Sequence, residues 1–228
     1  MNRKELGRFR KFIRYMLWVR PDEFGLVPDR DGFFSLKEFL QALREEPDWS
    51  YIQRGDLLQL LHLTDATELE MDERRIRFKG IGENPQAIPV SEPPELLYHC
   101  IRPRAHQAVV QRGLHPTRHQ WVVLAVSPEL AIRIGRRICP EPVLVRVMAQ
   151  KAASNGIQFW TYGVHLFLSG PIDSHWLLVP PLKEPNERPR PSKQRSRPKS
   201  PALPEMPGSF LLDPTRDLFP PAPPYPQK

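Results

Sequence analysis

The residues best placed for chemistry in the middle of this chain are cations. Arg133, Arg136 and Arg137 close the stretch Gln111–Arg137, QRGLHPTRHQWVVLAVSPELAIRIGRR. A guanidinium presents a planar fork of N–H donors that matches phosphate oxygens. Cations in a last helical turn also suit the helix dipole, so spacing alone admits both a phosphate site and a structural role. The elements that position these residues can be read locally. Trp121–Val126 is a continuous apolar run rich in β-branched and aromatic residues, which predicts a buried strand. Ser127, Pro128 and Glu129 then supply an N-cap, a proline at the first helical position and an acid in the first turn. The helix they start runs over Pro128–Arg137.

The chain has 228 residues, enough for one large or two small domains, and a net charge of +7. Its pI of about 9.6 suits a polyanionic partner. There are two cysteines, Cys100 and Cys139. With no His/Cys cluster around them they predict neither a metal site nor a disulfide framework, and a reduced thiol pair in a cytoplasm is expected. No apolar run is long enough for a transmembrane helix, so no membrane association is expected. The start, MNRKELGRFRKF, is charged and lacks an apolar signal core.

Leu6 to Trp18 carries Phe9, Phe12, Ile13, Met16 and Leu17 at helical spacing, with Arg and Lys opposite and Pro21 near its end. A turn-rich connection with an Asp31–Gly32 turn follows. Ser35 and Glu38 form a capping-box pattern ahead of Leu36, Phe39, Leu40 and Leu43. A third helix is predicted from about Arg54 to His62, and LEMDERRIRFKG reads as two extended segments around a charged turn. Three helices and a hairpin make a winged-helix pattern, which suits either nucleic-acid contact or plain protein packing. Pro85–Pro94 reads as a linker. Beyond it the strand-like segments LLYHCI, WVVLAV, PVLVRVMA, IQFWTYG, VHLFLSG and HWLLVP predict a β-rich lobe with helices near Arg104–Arg112 and Pro128–Arg137. More than half of the 28 prolines lie from Pro180 onward, a density that predicts a disordered tail with a basic first half.

From Phe9 to Pro181 the ordered motifs resemble those of the NAD-dependent RNA 2′-phosphotransferases, the Tpt1/KptA family. The family opens with KFLSYVLRHNPEEIGL and DxxGWVxVxxLL; this chain has KFIRYMLWVRPDEFGL and DRDGFFSLKEFL without a gap. IRFKGIGE stands for the family's IRANQGHS, and PPELLYHCI for PPxxLYHGT. GLHPTRHQWVVLA stands for GLKPMSRQHVHLS, Ala131–Arg137 for an A-x-x-V-G-x-R segment, and FWTYGVHLFLSGPI for FYxSxNGVWLTxxVP. The resemblance implies an α+β fold. Residues 1–84 would form a winged-helix RNA-binding lobe, 85–181 an ADP-ribosyltransferase-like NAD-binding lobe, and 182–228 the tail. It also implies a two-step reaction: an internal RNA 2′-phosphate attacks the ribose carbon of NAD and expels nicotinamide. The neighbouring ribose hydroxyl then attacks the phosphate and releases the RNA.

A dianionic nucleophile and a phosphoryl transfer need fixed cations and a proton acceptor. The family's Arg-His pair falls on Trp18 and Val19, which supply neither. Its two further arginines fall on Arg77 and Arg137 and are kept, with Arg20 and Arg136 as nearby candidates for phosphate or RNA. On the nucleotide side the resemblance places Tyr98, His99 and Gly135. The Gly-Thr after the histidine is Cys100-Ile101, the two histidines of HVHLS are Trp121 and Val123, its serine is Ala125, and the Gln-Gly-His of the wing motif is absent. Every loss runs from polar to apolar or neutral. Losing one preorganised donor typically lowers a rate by roughly 10²–10³-fold. The expectation is therefore a monomeric, divergent family member with weak or absent transfer activity, weak NAD binding and RNA as its partner, 2′-phosphorylated RNA above all. Its alternatives are a non-catalytic module binding RNA or ADP-ribose, and an ADP-ribosyltransferase with another acceptor. Trp121 and Val123 facing the nucleotide cleft would favour binding over catalysis.

Because a proline-dense segment buries little, truncation after Leu182 should leave the melting temperature essentially unchanged. A large fall measured by scanning calorimetry would show instead that FLLDPTRDLF docks on the fold.

Overall fold

Apolar side chains at helical spacing form the first core. The computed structural model describes residues 3–63, 68–79, 86–117 and 120–182. Chain contacts divide the molecule into Met1–Glu184 and Pro185–Lys228, and every described residue lies in the first unit. The tail from residue 183, the wing-motif residues 80–85 and residues 118–119 lie outside the described residues. Helix α1 (Arg3–Arg14) buries Phe9 and Ile13. It continues into a π-helical turn, Tyr15–Val19, that buries Met16 and Leu17. The turn ends when the Arg20 amide donates to the Tyr15 carbonyl at 2.9 Å. Arg20 precedes Pro21, whose ring disfavours the helical region for the residue before it, and Arg20 sits at φ −139°, ψ 59°. The sequence predicts one plain helix here; the wider last turn is what the structure adds.

Strand β1 (Phe34–Ser35) leads into α2 (Leu36–Arg44), whose N-terminus is capped by Ser35 Oγ accepting from the Glu38 amide at 3.4 Å. After α3 (Arg54–Leu63) come β2 (Leu69–Met71) and β3 (Arg75–Phe78), the hairpin expected from the sequence. The three strands make an antiparallel sheet in the order β1-β3-β2. Phe9, Phe34, Phe39, Leu43, Leu57 and Ile76 pack together beneath it. Each such side chain contributes about 1.5–3 kcal/mol by leaving water.

The second part is built on β4 (Ala87–Val90), β5 (Leu97–Ile101), β6 (Val122–Ala125), β7 (Val143–Val147), β8 (Phe159–Tyr162), β9 (Leu166–Ser169) and β10 (Leu177–Leu178). They form a seven-stranded antiparallel sheet in the order β10-β7-β5-β6-β9-β8-β4. Strand β4 lies inside the proline-punctuated segment that reads as linker. Pro89 is tolerated because β4 is an edge strand, where a missing amide donor need not break the ladder. Helices α4 (His106–Arg112), α5 (Pro128–Arg136) and α6 (Ala149–Ser154) accompany the sheet. Ser127 caps α5 by accepting from the Leu130 amide at 3.2 Å, as its sequence implies. Among the described residues no helix is long and apolar enough to cross a membrane.

The two parts are joined by a charged residue without solvent access. Asp22, in the 3₁₀ turn Pro21–Phe24, is fully buried. One carboxylate oxygen accepts from the amides of Val164 (2.8 Å) and His165 (3.1 Å) in the β8–β9 hairpin. The other accepts from Arg20 Nε at 3.2 Å. Gly163, at φ +64°, lies so close that a Cβ there would collide with the carboxylate. Burial pushes the Asp22 carboxyl up, but the Arg20 guanidinium and the two amides outweigh it and hold it below the usual range.

A depressed carboxyl pKa stabilises the fold above the unfolded value, about 3.9, and that contribution is lost as pH falls through the folded value. Asp22→Asn should lower stability at pH 7 by about 3–5 kcal/mol, the usual effect of breaking a buried pair. The difference between wild type and variant, measured by denaturant titration, should shrink progressively below about pH 4. A difference that does not vary with pH would show that the carboxylate charge is not what holds the hairpin.

Candidate functional site

Strands β5 and β6 touch through a single register pair, Tyr98 with Ala125, whereas β5 follows β7 for its whole length. Where β5 and β6 part, a cavity of about 630 Å³ opens. Tyr98, His99, Cys100 and Ile101 line it from one strand and Val122, Val123 and Ala125 from the other. Ala131 and Ile134 of α5 face it, and Gly25 and Glu38 reach it from the N-terminal part.

His99 joins the diverging strands, with Nδ1 2.7 Å from the Val123 carbonyl oxygen. Only a protonated Nδ1 can donate there. Burial pushes the imidazolium pKa down, against the opposing pull of the Val123 carbonyl, so the ring is neutral at pH 7 with Nε2 as an acceptor. Burial, with some help from Cys139, pushes the Cys100 thiol up to about 11. A thiol protonated at neutral pH is a poor nucleophile. Trp121 and Val123 line the cavity, and the Trp121 ring packs on Trp160 with centroids 4.7 Å apart.

The candidates divide between several places. Tyr98, His99 and Arg137 line the cavity. Gly135 lies in α5 against β5, and a Cβ there would meet Cys100 and Pro142; its place is explained by close helix–strand packing. Trp18 is half-buried against the N-terminal core and Val19 is exposed. Arg20 is held by Asp22 and, 3.2 Å away, by Glu23. Arg136 is exposed and outside the cavity lining. Arg77 also lies outside that lining, on β3. Its Nε donates to Glu70 at 2.6 Å and its Nη1 to the Asp31 carbonyl at 2.9 Å, with the guanidinium 4.3 Å from the Phe33 ring centroid.

Arg137 is the most committed of these cations, with a side chain only 5% exposed. Nε and Nη2 donate to the two Glu45 carboxylate oxygens at 2.6 and 2.7 Å. Nη1 donates to the Phe24 carbonyl at 2.6 Å. The Arg137 carbonyl accepts from Gln41 Nε2 at 3.0 Å, and Arg133 donates to the Glu23 carbonyl. The end of α5 is thereby clamped to the turn Pro21–Phe24 and to the end of α2. Arg102, Arg104 and Arg112 also line the cavity, and motif comparison missed them. Their signal was local: R-P-R follows directly on a predicted strand end, where a ligand-facing loop would be expected.

Comparison with known proteins gives the chain a family. The profile of the family described as RNA 2′-phosphotransferase, Tpt1/KptA family, matches residues 4–169. The chain is 30% identical to a probable RNA 2′-phosphotransferase of Acetivibrio thermocellus, over 76% of this chain and 96% of that protein. It is 27% identical to one of Bacillus thuringiensis subsp. konkukian, over 74% and 92%. It is 26% identical to one of Pyrococcus horikoshii, over 72% and 93%.

Arg137→Ala would leave the Glu45 carboxylate and the Phe24 carbonyl without their donors. It should lower stability by about 1.5–3 kcal/mol, the range for charge-assisted hydrogen bonds. An unchanged unfolding midpoint in urea would show that the clamp is incidental.

Proposed function

The chain belongs to the RNA 2′-phosphotransferase, Tpt1/KptA family, and we propose that it keeps the nucleotide-binding half of the family's site while the transfer half has been dismantled. In this reading residues 1–84 are a winged-helix lobe that meets RNA, and 85–181 an ADP-ribosyltransferase-like lobe. The cavity between β5 and β6 takes NAD or ADP-ribose. Tyr98, His99 and the apolar wall would hold the nucleoside, with His99 Nε2 accepting from a ribose hydroxyl. Bound NAD would supply the electrophilic ribose carbon.

The observation that carries the reading is the state of Arg137. Three of its N–H donors are engaged by Glu45 and Phe24, while Trp18 and Val19 occupy the Arg-His positions that the resemblance implies. An RNA 2′-phosphate entering beside Arg137 would have to displace a bidentate carboxylate, and no histidine stands at the matched position to take the hydroxyl proton. The cavity itself remains open, and Trp121 and Val123 on its wall support binding over catalysis. The protein acts in this reading as a monomer in the cytoplasm, with RNA as its macromolecular partner.

Purified protein incubated with a 2′-phosphorylated oligonucleotide and NAD should release little or no cyclic-phosphate product, while titration calorimetry detects ADP-ribose. His99→Ala should weaken that binding by about tenfold, as expected when one hydrogen bond in a dry site is lost. Efficient loss of the 2′-phosphate in an NAD-dependent manner would refute the dismantled-site reading.

A further inference from the structure

Both cysteines of the chain, Cys100 and Cys139, are free thiols, and neither has a task in the function proposed above. They come from different elements, β5 and the connection between α5 and β7. Packing brings those elements together at Gly135. A Cβ added to Gly135 would lie 2.5 Å from Cys100 Cβ and 3.1 Å from its Sγ. Without one, α5 rests directly on the Cys100 side chain. The Cys139 amide donates to the Gly135 carbonyl at 3.0 Å, so the helical path runs on as far as Cys139. Residues four apart on a helix share a face, one turn of about 5.4 Å along it. Cys139 therefore continues the face that Gly135 turns to β5.

Strand β5 supplies a second, independent link. Arg102 follows Cys100 by two residues in extended backbone, at φ −72°, ψ 145°. Strand alternation puts the two side chains on one face. An open depression of about 530 Å³ is lined by Arg102, Pro103, Arg104, Ile138 and Cys139. Cys139 thus stands at the end of β5, on the face that carries Cys100. It is near enough that its negative charge would push the Cys100 thiol up further than burial alone does. The two thiols differ in access: Cys100 is buried, while Cys139 is half-exposed at the depression.

We propose that Cys100 and Cys139 are a redox pair: a hydroperoxide oxidises Cys139, and Cys100 then closes a disulfide that ties the end of α5 to β5. In the first step the Cys139 sulfur takes the terminal oxygen of the peroxide and becomes a sulfenic acid. The O–O bond breaks, and water or an alcohol leaves as the reduced product. In the second step the Cys100 sulfur attacks the Cys139 sulfur. The S–S bond forms, the S–O bond breaks, and the Cys100 proton leaves with the hydroxyl as water. Cys139 is the first target because thiol oxidation follows access. Cys100, buried and protonated, is a poor first nucleophile but stands where a resolving thiol must stand. The bond would act at a sensitive point. Arg137, two residues before Cys139, clamps α5 to the turn Pro21–Phe24, and Cys100 lines the cavity. Oxidation would lock the end of α5 to a wall strand of the cavity, and a thiol reductant would release it.

The test is to treat the reduced full chain with a small excess of hydrogen peroxide, alkylate the remaining thiols and determine masses. Both thiols should disappear together, and the intact mass should fall by that of two hydrogens. A non-reducing digest should contain Cys100 and Cys139 in one linked peptide pair, and dithiothreitol should restore both thiols. In Cys100→Ala a dimedone adduct should appear on Cys139, because the sulfenic acid then lacks its resolving partner. Cys139→Ser should slow the oxidation of Cys100 about tenfold or more. Cys139 is half-exposed, so that variant should fold, and wild type alone decides whether the bond forms. Hydrogen exchange of the amides over residues 134–139 should be slower in the oxidised protein. Sulfinic acid at Cys139 while Cys100 stays open to alkylation would overturn the pair. So would a disulfide that joins two chains, or one that forms only in denaturant. Unchanged oxidation of Cys100 in Cys139→Ser would overturn the order of steps and the pair with it. Equal amide exchange in the two forms would show that the bond locks nothing and overturn the switch. All these readouts are independent of nucleotide binding, so the pair stands or falls apart from the function proposed above.

Discussion

A carboxylate without access to water sets the relation between the helical part of this chain and its seven-stranded sheet. Asp22 is fully buried and would be strongly destabilising if unpaired. Arg20 and the amides of Val164 and His165 compensate it, and all three must be in place at once. Two of those donors come from a hairpin more than a hundred residues away in the chain. The requirement therefore fixes the turn Pro21–Phe24 against the β8–β9 hairpin. The missing side chain of Gly163 is part of the same requirement. Gly25 adds a second close approach: a Cβ there would meet Ile134 of α5. Val27 carries the contact into the sheet's own apolar cluster, beside Cys100, Ala125 and Leu166.

The same junction governs what the cations can do. Once Pro21–Phe24 is held, the Phe24 carbonyl stands in reach of Arg137 and the Glu23 carbonyl in reach of Arg133. Glu45, just after α2, completes a bidentate pair with Arg137. A guanidinium that already holds a bidentate carboxylate and a backbone carbonyl stabilises the junction, and a phosphate would have to compete with both. Arg20 sits beside the turn for a related reason: it compensates Asp22. The cavity follows a different logic. It exists because β5 and β6 touch at one register pair and then diverge, and His99 is neutral there because burial disfavours its charged form. The apolar side chains of Trp121 and Val123 line this space without filling it.

The sequence by itself determined the elements and the descent. Ser35 and Ser127 cap their helices because a short hydroxyl at that position can take up an orphan amide. The hairpin of β2 and β3, the buried strand β6 and the membership of the family are all legible in local pattern and motif order. The resemblance also sets Trp18 and Val19 at its Arg-His positions, an expectation read from motif order alone. Tertiary structure decided the rest. Periodicity cannot tell a π turn from an α turn when the deciding groups are the Arg20 amide and the ring of Pro21. Nor can it place a strand such as β4, whose pairing with β8 is supplied by a segment distant in sequence. Above all, an arginine in a motif reads the same whether its donors are free or spent. Arg137 is engaged, while among the described residues Arg102, Arg104 and Arg112 have no such partner, because a guanidinium's availability depends on which carboxylates and carbonyls the fold brings within about 3 Å of it, and that is a property of packing across the chain rather than of the residues beside it.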